Sequence, residues 1–397
     1  MKTKKGGISM RNFTFQNETK IEFGKESYKK LPEQLKKDGI DKILMVYGRS
    51  SIKKIGLYDT LMASLNEAGI KVNEISGVQP NPRLSLVKEG LKKFKETKSQ
   101  ALLAVGGGSV IDTSKAISAG YYYDGDIWDL FAKKAPVKEG LPIYTVLTLS
   151  ATGSEMNGNA VITNEETQQK WDISSKALYP VVTYISPELQ YSLPKSQTIN
   201  GGVDAISHVM EFYFDTTPRT EIQDALAEGI IKTVIKATET LIEDPEDYQC
   251  RAALAWGATL ALNGLLATGK QGGDWSSHMI EHGLSAVTDV AHGKGLAIVF
   301  PAFLEFSKDK IMDKLDRFAE KIFGIDTGSK GYDSDLAIKA LKDWYKKIGQ
   351  PVKLEEIGLE EEKVEVIAEN AAQIAPFGQI QDMDKKKILE VLKIAYK

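Results

Sequence analysis

A chain of 397 residues is too long for one small hydrophobic core, and it predicts two domains. With 42% hydrophobic and 26% charged residues the composition is that of a globular protein, and the net charge of -3 gives no reason to expect nucleic acid or an anionic membrane as a partner. The single cysteine, Cys250, excludes a disulfide framework within the chain and a cysteine-based zinc site, and it is consistent with a reducing compartment.

The start of the chain carries no recognisable targeting segment. Its first ten residues are basic, but no apolar core follows them, so they predict a loose extension rather than a secretory signal. No run of 18 apolar residues indicates a membrane span. We therefore expect a cytoplasmic protein.

Short apolar runs alternate with amphipathic segments over the first 150 residues. They predict strands at 42–48, 71–78, 100–109 and 142–155, and helices at 58–69 and 83–98. A further β pattern at 12–24 predicts an edge hairpin. Alternating strands and helices indicate an α/β fold, a parallel sheet with helices on both faces.

The pattern changes at the proline-bearing segment 185–196. Beyond it the periodicity predicts helices at 221–244 and 251–267 and in segments that start at 311, 334, 362 and 384. The sequence therefore predicts an α/β domain over residues 1–190 and an all-helical domain over residues 191–397.

Three glycines, Gly106, Gly107 and Gly108, follow a predicted strand and precede a predicted helix. A side chain here would block phosphate oxygens from the backbone N–H groups, and the helix N-terminus beyond, with Ser109 near its cap and Asp112 in its first turn, favours an anion. The stretch is neither a GxGxxG fingerprint nor a P-loop. Taken alone, it fits a phosphate site and a plain tight turn equally well.

Two other polar loops, at 47–51 and 148–155, follow predicted strands. Because ligands in open α/β sheets bind outside the carboxyl ends of the strands, the three loops together indicate a nucleotide cofactor. The first of these loops has no acid to accept a ribose 2′-hydroxyl. It offers groups that suit a 2′-phosphate, in the stretch Gly48, Arg49, Ser50 and Ser51. NADP is therefore favoured over NAD, and an ordinary solvated basic loop is the alternative.

The four histidines fall into two short segments. Asp204 and His208 are four residues apart, as are His278 and His282, so on a helix each pair points to one side; His292 follows shortly after. Imidazoles and one carboxylate suit a divalent metal such as iron or zinc and leave it a Lewis acid. A hydrogen-bonded core histidine would explain any one of them, but explains the whole set poorly.

These pieces together resemble the iron-containing, or group III, alcohol dehydrogenases, and most closely their butanol dehydrogenase-like aldehyde reductase branch. Matching segments span almost the whole chain and include VQPNPRL (78–84), AVGGGSVIDTSK (104–115), INGGVDAISHVMEFY (199–213) and DWSSHMIEHGLSAVTDVAHGKG (274–295). The resemblance implies a dinucleotide-binding α/β domain and an all-helical domain with the metal in the cleft between them, an architecture shared with dehydroquinate synthases. It also implies a homodimer that pairs through segment 12–24.

The resemblance assigns roles to individual residues. It implies that one divalent metal, Fe²⁺ or Zn²⁺, is ligated by Asp204, His208, His278 and His292. His282 matches a histidine beside the metal that is not a ligand, and its role is open between a proton relay and a residue that orients the ligands. The pyrophosphate turn and further cofactor contacts match Gly107, Gly108, Ser109, Asp112, Thr148, Ser150, Val161 and Lys170.

The implied reaction is hydride transfer between NAD(P)H and a primary alcohol or aldehyde such as butanol or butanal. An apolar pocket for it is expected from Trp275, Met156 and Phe377, which core packing would explain equally well. A dehydroquinate synthase-like carbocyclic synthase is one alternative, although it needs several Lys and Arg near the metal. A metal-dependent hydrolase is another, but it would leave the three cofactor loops without a role. The third is a metal-binding protein without catalytic activity.

Overall fold

The computed structural model describes residues 10–327 and 334–397, so the expected loose extension lies, apart from Met10, outside the described residues. The N-terminal half is built on a six-stranded parallel sheet with the strand order β1-β8-β5-β4-β2-β3. Its strands are β1 (Lys20–Phe23), β2 (Lys42–Tyr47), β3 (Lys71–Ile75), β4 (Ala101–Gly106), β5 (Ile143–Leu147) and β8 (Val182–Ile185). A separate antiparallel hairpin consists of β6 (Asn159–Asn164) and β7 (Gln169–Ser174).

Helices cover both faces of the sheet, as predicted. Alternate residues of β2 and β4 enter two different cores: Leu44 and Leu102 face one, Ile43 and Leu103 the other. Strands buried on both faces read as continuous apolar runs, which is why the sequence predicted them. The helices of this half are α1 (Leu31–Lys37), α2 (Ser51–Lys54), α3 (Leu57–Glu67), α4 (Leu84–Thr97), α5 (Gly108–Tyr121) and α6 (Trp128–Phe131).

The C-terminal half is helical around one large apolar core. Its helices are α7 (Lys195–Tyr213), α8 (Glu221–Glu243), α9 (Tyr248–Ala261), α10 (Ser276–Thr288), α11 (His292–Ser307), α12 (Met312–Phe323), α13 (Ser334–Lys347), α14 (Lys363–Ala371) and α15 (Lys385–Tyr396). The last sheet strand ends at Ile185 and α7 begins at Lys195, and we propose the domain boundary near residue 190, between them. Among the described helices, none is long and apolar enough to cross a bilayer.

The strands expected at 71–78 and 100–109 end earlier, at Ile75 and Gly106, and three other predicted elements differ more from the structure. The hairpin expected at 12–24 is wrong, because only β1 is a strand, and it pairs in parallel with β8. The residues before β1 contact the helical half instead, since Nδ2 of Asn17 donates to the carbonyl of Asn263 at 3.1 Å. The strand expected at 142–155 ends at Leu147, and the helix expected at 251–267 ends at Ala261.

Candidate active site

A cleft of about 1080 Å³ separates the carboxyl edge of the sheet from the helical half. The ends of β2, β4 and β5 all open into it, since Gly48, Gly107 and Thr148 are among its lining residues. The three loops that the sequence singled out therefore face one crevice, as predicted. The opposite wall carries the histidines of α7, α10 and α11.

The glycine turn is required by contacts within the chain itself. Gly107 is the N-cap of α5, and Gly106 is the last residue of β4. A Cβ on Gly106 would lie 2.4 Å from Val110 Cγ2, and one on Gly108 would lie 2.4 Å from Thr152 Oγ1. The absence of side chains thus lets the first turn of α5 pack against the loop after β5, and it leaves the backbone N–H groups facing the cleft open.

Ser109 lies near the cap of α5, as expected, since Gly107 is the N-cap and α5 begins at Gly108. Asp112 differs from the expectation, because it lies in the second turn rather than the first. The buried Asp112 carboxylate accepts hydrogen bonds from the Ser154 hydroxyl at 2.6 Å and the Val161 N–H at 3.1 Å. Asp112 lines the cleft, but its carboxylate serves to hold segment 154–161 against α5.

Lys115, one turn after Asp112, reinforces the same contact. Its buried ammonium donates to the carbonyls of Ser154, Asn157 and Asn159 at 2.6, 2.8 and 2.8 Å. Burial lowers the pKa of Lys115 to about 7, with the nearby Asp112 carboxylate opposing the shift. The segment 154–159, which lines the cleft, is therefore held against α5, the helix that follows the glycine turn.

The remaining predicted cofactor residues divide into three groups. Ser51, Val161 and Lys170 line the cleft together with Thr148. Ser150 does not, because its side chain is buried and its hydroxyl pairs with Gln190. Arg49 and Ser50 are exposed, and Nη2 of Arg49 lies 3.4 Å from Oε1 of Gln79, another lining residue, which places the guanidinium close to the cleft.

The predicted metal ligands come together at the helical wall. Oδ1 of Asp204 lies 3.5 Å from both Nδ1 of His208 and Nε2 of His292. The ring centroids of His208 and His278 are 4.7 Å apart, and one ligand atom each from Asp204, His208 and His278 lies within 4.8 Å of the others. His292 is the first residue of α11 and is the most exposed of the four.

Unpartnered buried atoms show that this cluster fits a metal ion. Among the described residues, Oδ1 of Asp204, Nδ1 of His208 and Nε2 of His278 are buried and have no hydrogen-bond partner. Each such atom costs roughly 1–3 kcal/mol unless something binds it. Imidazole nitrogens and a carboxylate oxygen are common ligands of Fe²⁺ and Zn²⁺. The donor set therefore suits a divalent cation.

Burial also sets the protonation states that metal binding needs. It raises the pKa of Asp204 to about 7, and the electrostatic effect of the neighbouring His278 opposes that shift. Burial lowers the pKa of His208 and His292 well below the ordinary value, so their rings are neutral at neutral pH. Neutral imidazoles have the free lone pair that a metal requires, and Asp204 is the group that must lose a proton.

Two glutamates behind the histidines were not predicted from the sequence. Oε1 of Glu211 accepts from Nδ1 of His278 at 2.7 Å, and Oε2 accepts from the backbone N–H of Trp275 at 2.6 Å. Glu281, fully buried, hydrogen-bonds Nδ1 of His292. A carboxylate on one ring nitrogen orients the other towards a metal. Glu211 follows His208 by three residues on α7, and this helical spacing was a usable signal.

His282 is not in the group of Asp204, His208 and His278, but it forms a second one: one ligand atom each from Glu281, His282 and His292 lies within 4.8 Å of the others. Its ring centroid is 5.6 Å from that of His292, and its buried Nδ1 has no hydrogen-bond partner among the described residues. Burial lowers its pKa well below the ordinary value, and the ammonium of Lys170 adds to that shift. The Lys170 Nζ donates to Ser285 Oγ at 2.8 Å and lies 3.4 Å from a Glu281 oxygen.

The cleft also has apolar lining residues. Trp275 and Phe377 line it as expected, together with Leu262 and Met279, whereas Met156 is not among the lining residues. The Trp275 ring centroid lies 5.2 Å from that of His278. Lys170 is the only Lys or Arg among the described residues that line the cleft.

Comparison with known proteins finds family matches along almost the whole chain. Residues 18–187 match the family model described as iron-containing alcohol dehydrogenase, and residues 198–396 match that of the Fe-containing alcohol dehydrogenase family, C-terminal. The chain is 42% identical to a probable NADH-dependent butanol dehydrogenase 1 of Bacillus subtilis, covering 97% of this chain and 99% of that relative. It is 38% identical to the NADPH-dependent aldehyde reductase YqhD of Escherichia coli, covering 88% and 90%.

Solved structures give the same result. The crystal structure of an NADH-dependent butanol dehydrogenase A from Thermotoga maritima superimposes with a TM-score of 0.94 at 49% identity. The match covers 98% of this chain and all of that one. The parallel sheet and the helical half described above are thus shared over their full length.

Proposed function

Because the chain belongs to the iron-containing alcohol dehydrogenase family, and is an NAD(P)-dependent oxidoreductase of alcohols and aldehydes that uses a divalent metal, we propose that it interconverts a neutral primary alcohol such as butanol and its aldehyde. One observation carries this proposal: the unpartnered donor atoms of Asp204, His208 and His278 face the same cleft as the glycine turn. When bound, the metal polarises the substrate oxygen and the nicotinamide exchanges hydride with the substrate carbon.

The metal ligands in this proposal are Asp204, His208, His278 and His292. Helical spacing on α7 brings Asp204 and His208 to one side, and the N-terminus of α11 adds His292. Glu211 and Glu281 hold the rings of His278 and His292 in orientation. Support comes from burial, from the neutral imidazoles of His208 and His292, and from the unpartnered donor atoms.

The cofactor would lie along the sheet edge. The open N–H groups at Gly107, Gly108 and Ser109, at the N-terminus of the 14-residue α5, suit the pyrophosphate. Thr148, Val161 and Lys170 lead from there to the histidines along the lining of the cleft. These residues would hold the cofactor in a fixed orientation relative to the histidines, and such positioning would favour hydride transfer.

NADP is the proposed cofactor in preference to NAD. Relatives include one named NADH-dependent and one named NADPH-dependent, so the preference is argued from this chain's own residues. Arg49 is exposed and takes part in no ion pair among the described residues, and its only hydrogen bond is the long one to Gln79. A free guanidinium beside the hydroxyls of Ser50 and Ser51 suits a 2′-phosphate, which a planar fork of donors binds well.

His282 is proposed as a proton relay. Of the two roles left open by the sequence, orientation of the ligands is already performed by Glu211 and Glu281. The Nδ1 atom of His282 is buried and unpartnered in the lining of the cleft. It is therefore placed to pass a proton between solvent and the alcohol oxygen through the cleft.

The lining favours a neutral, apolar substrate. The lining includes the apolar side chains of Leu262, Trp275, Met279 and Phe377. Lys170 is the only lining Lys or Arg among the described residues. Lys170 is already engaged by Glu281 and Ser285. A carbocyclic synthase would need several cations there to hold an anionic substrate, and a hydrolase would not use the dinucleotide loops.

A homodimer is proposed through the sheet edge at β1. Among the described residues, the outer edge of β1 pairs with no strand, and three aromatic side chains nearby are exposed: Phe13, Phe15 and Phe23. An open strand edge with exposed aromatic rings suits a second copy of the chain. A monomeric mass in light scattering at micromolar concentration would contradict this pairing.

Metal content in single variants tests the ligand assignment. His278→Ala and Asp204→Asn should purify with far less than one equivalent of metal, and their Co²⁺ forms should lack the visible absorption of a histidine-ligated site. His282→Ala is the matched control, since it removes a buried histidine of the same helix, and it should keep full metal content. Full metal in His278→Ala would contradict the assignment.

A further inference from the structure

The segment VQPNPRL (78–84), between β3 and α4, reaches across the cleft to the helical half. Nδ2 of Asn81 donates to Oδ1 of Asp289 at 3.0 Å and to the Val290 carbonyl at 3.4 Å. The guanidinium Nη2 of Arg83 lies 2.8 Å from the same Asp289 oxygen. We call these three residues, Asn81, Arg83 and Asp289, the clasp.

Backbone geometry shows that the clasp is built into both halves. Asn81 has a φ of +53° and is 7% exposed, between two prolines, and Asp289 has a φ of +57° at the end of α10. Left-handed backbone is uncommon outside glycine, although Asn and Asp adopt it more readily than most residues. The loop on the sheet side is also fixed, since the Thr163 N–H donates to the Pro82 carbonyl at 2.8 Å.

The clasp lies between the cofactor cleft and a proposed metal ligand. Val78, Pro80, Asn81 and Pro82 line the cleft. Asp289 begins the three-residue turn from α10 to α11, and His292 follows that turn as the first residue of α11. The position of the His292 ring therefore depends on a turn that the sheet side holds.

We propose that Asn81 and Arg83 are positioning residues that fix His292 through Asp289, so that bound cofactor and bound metal stabilise each other. A cofactor against the loop 78–82 favours the arrangement in which the clasp is closed, and that arrangement places His292 for the metal. Coupling of this kind is reciprocal, because each ligand changes the affinity for the other by the same factor. The inference rests on the proposed role of His292 as a ligand.

Release of Zn²⁺ to a chromogenic chelator tests the coupling in the intact holoenzyme. The wild type should lose metal at least about fivefold more slowly with saturating NADPH, the lower end of usual coupling factors, with NADH measured in parallel. The double variant Asn81→Gly, Arg83→Met keeps the left-handed backbone and the apolar stem. It should lose metal about tenfold faster, because loss of a residue that supports a metal ligand usually weakens metal binding by at least that factor. NADPH should no longer slow the release.

The matched control is Lys88→Met. Lys88, on α4, pairs with Asp126 at 2.9 Å within the sheet half, so its loss should leave metal release and NADPH protection as in the wild type. Asp289→Asn keeps an acceptor for Asn81 but removes the charge that Arg83 meets, and its release rate should be intermediate. If circular dichroism shows that the double variant is unfolded, Asp289→Asn provides the test in its place.

The inference and the proposed function fail in different ways. Release and protection equal to the wild type in both clasp variants would overturn the inference and leave the metal site intact. If His292→Ala instead keeps its metal as long as the wild type, the ligand assignment itself is wrong.

Discussion

Nδ1 of His278 lies 2.7 Å from Oε1 of Glu211, while Nε2 of the same ring is buried and has no hydrogen-bond partner among the described residues. The carboxylate fixes which nitrogen carries the proton and so presents the other lone pair to the cluster around Asp204. Glu211 is itself buried. Burial raises the pKa of its carboxyl group, and the hydrogen bond with His278 opposes that rise. This pair is the clearest sign that the cluster is prepared for a metal.

Replacing Glu211 by Gln should weaken metal binding about 10- to 100-fold, the usual cost of losing such a carboxylate. A neutral amide can accept the same hydrogen bond, but it does not raise the basicity of the ring. Competition titration with a chelator measures the change. Glu228→Gln is the control, as Glu228 is a buried glutamate of the same half that pairs with Arg317, away from the cluster. Equal Zn²⁺ affinity in wild type and Glu211→Gln would contradict the proposed role.

Metal binding should depend on pH through Asp204. Burial raises its pKa from 3.8 to about 7, and the metal binds only the ionised carboxylate, so binding below pH 7 must release a proton. The imidazoles of His208 and His292, whose pKa values burial lowers, release none. The dissociation constant for Zn²⁺ should be flat above pH 7 and rise about tenfold per unit as pH falls below it. A constant value from pH 6 to 8 would show that Asp204 is not the titrating ligand, and Asp204→Asn should lack the break.

Removing the guanidinium of Arg49 tests the cofactor preference. Arg49→Gly should raise the KM for NADPH about tenfold or more, since a hydrogen bond to a charged group is worth roughly 1.5–3 kcal/mol. The KM for NADH should barely change, because NADH has no 2′-phosphate. Arg219→Gly, at another exposed arginine, should leave both constants unaltered. Equal effects on the two cofactors would exclude Arg49 as a 2′-phosphate ligand.

His282→Ala separates proton transfer from ligand orientation. If His282 relays a proton, kcat should fall about 10²- to 10⁴-fold while metal content stays full, and the pH profile of kcat should change. If it only orients ligands, the metal affinity should fall instead. Unchanged turnover with an unchanged pH profile would refute the relay.

Much of the sheet was predictable because parallel strands buried on both faces leave apolar runs, as in KILMVY of β2. The β6–β7 hairpin was missed, because its strands mix Asn, Gln and Lys with apolar residues and its pairing is not visible as an apolar run. The strand β5 is shorter than predicted, because it ends where the polar residues that line the cleft begin.

Within the site, predictions that depended on helical spacing placed Asp204 with His208, and His278 with His282, on common helices. The placement of Asp112 in the first turn was wrong, because α5 begins at Gly108 and puts Asp112 in its second turn. Contacts between distant segments were beyond local patterns: Asn81 and Asp289 are 208 residues apart and meet only when the two halves pack.

One measurement tests the central claim most directly. The purified protein is stripped of metal with a chelator, supplied with Fe²⁺ or Zn²⁺, and NADPH oxidation is followed with butanal. We predict that aldehyde-dependent oxidation is lost on stripping and restored by at least one of the two ions. No aldehyde-dependent oxidation with either ion, or full activity in the stripped protein, would contradict a metal-dependent aldehyde reductase built on Asp204, His208, His278 and His292.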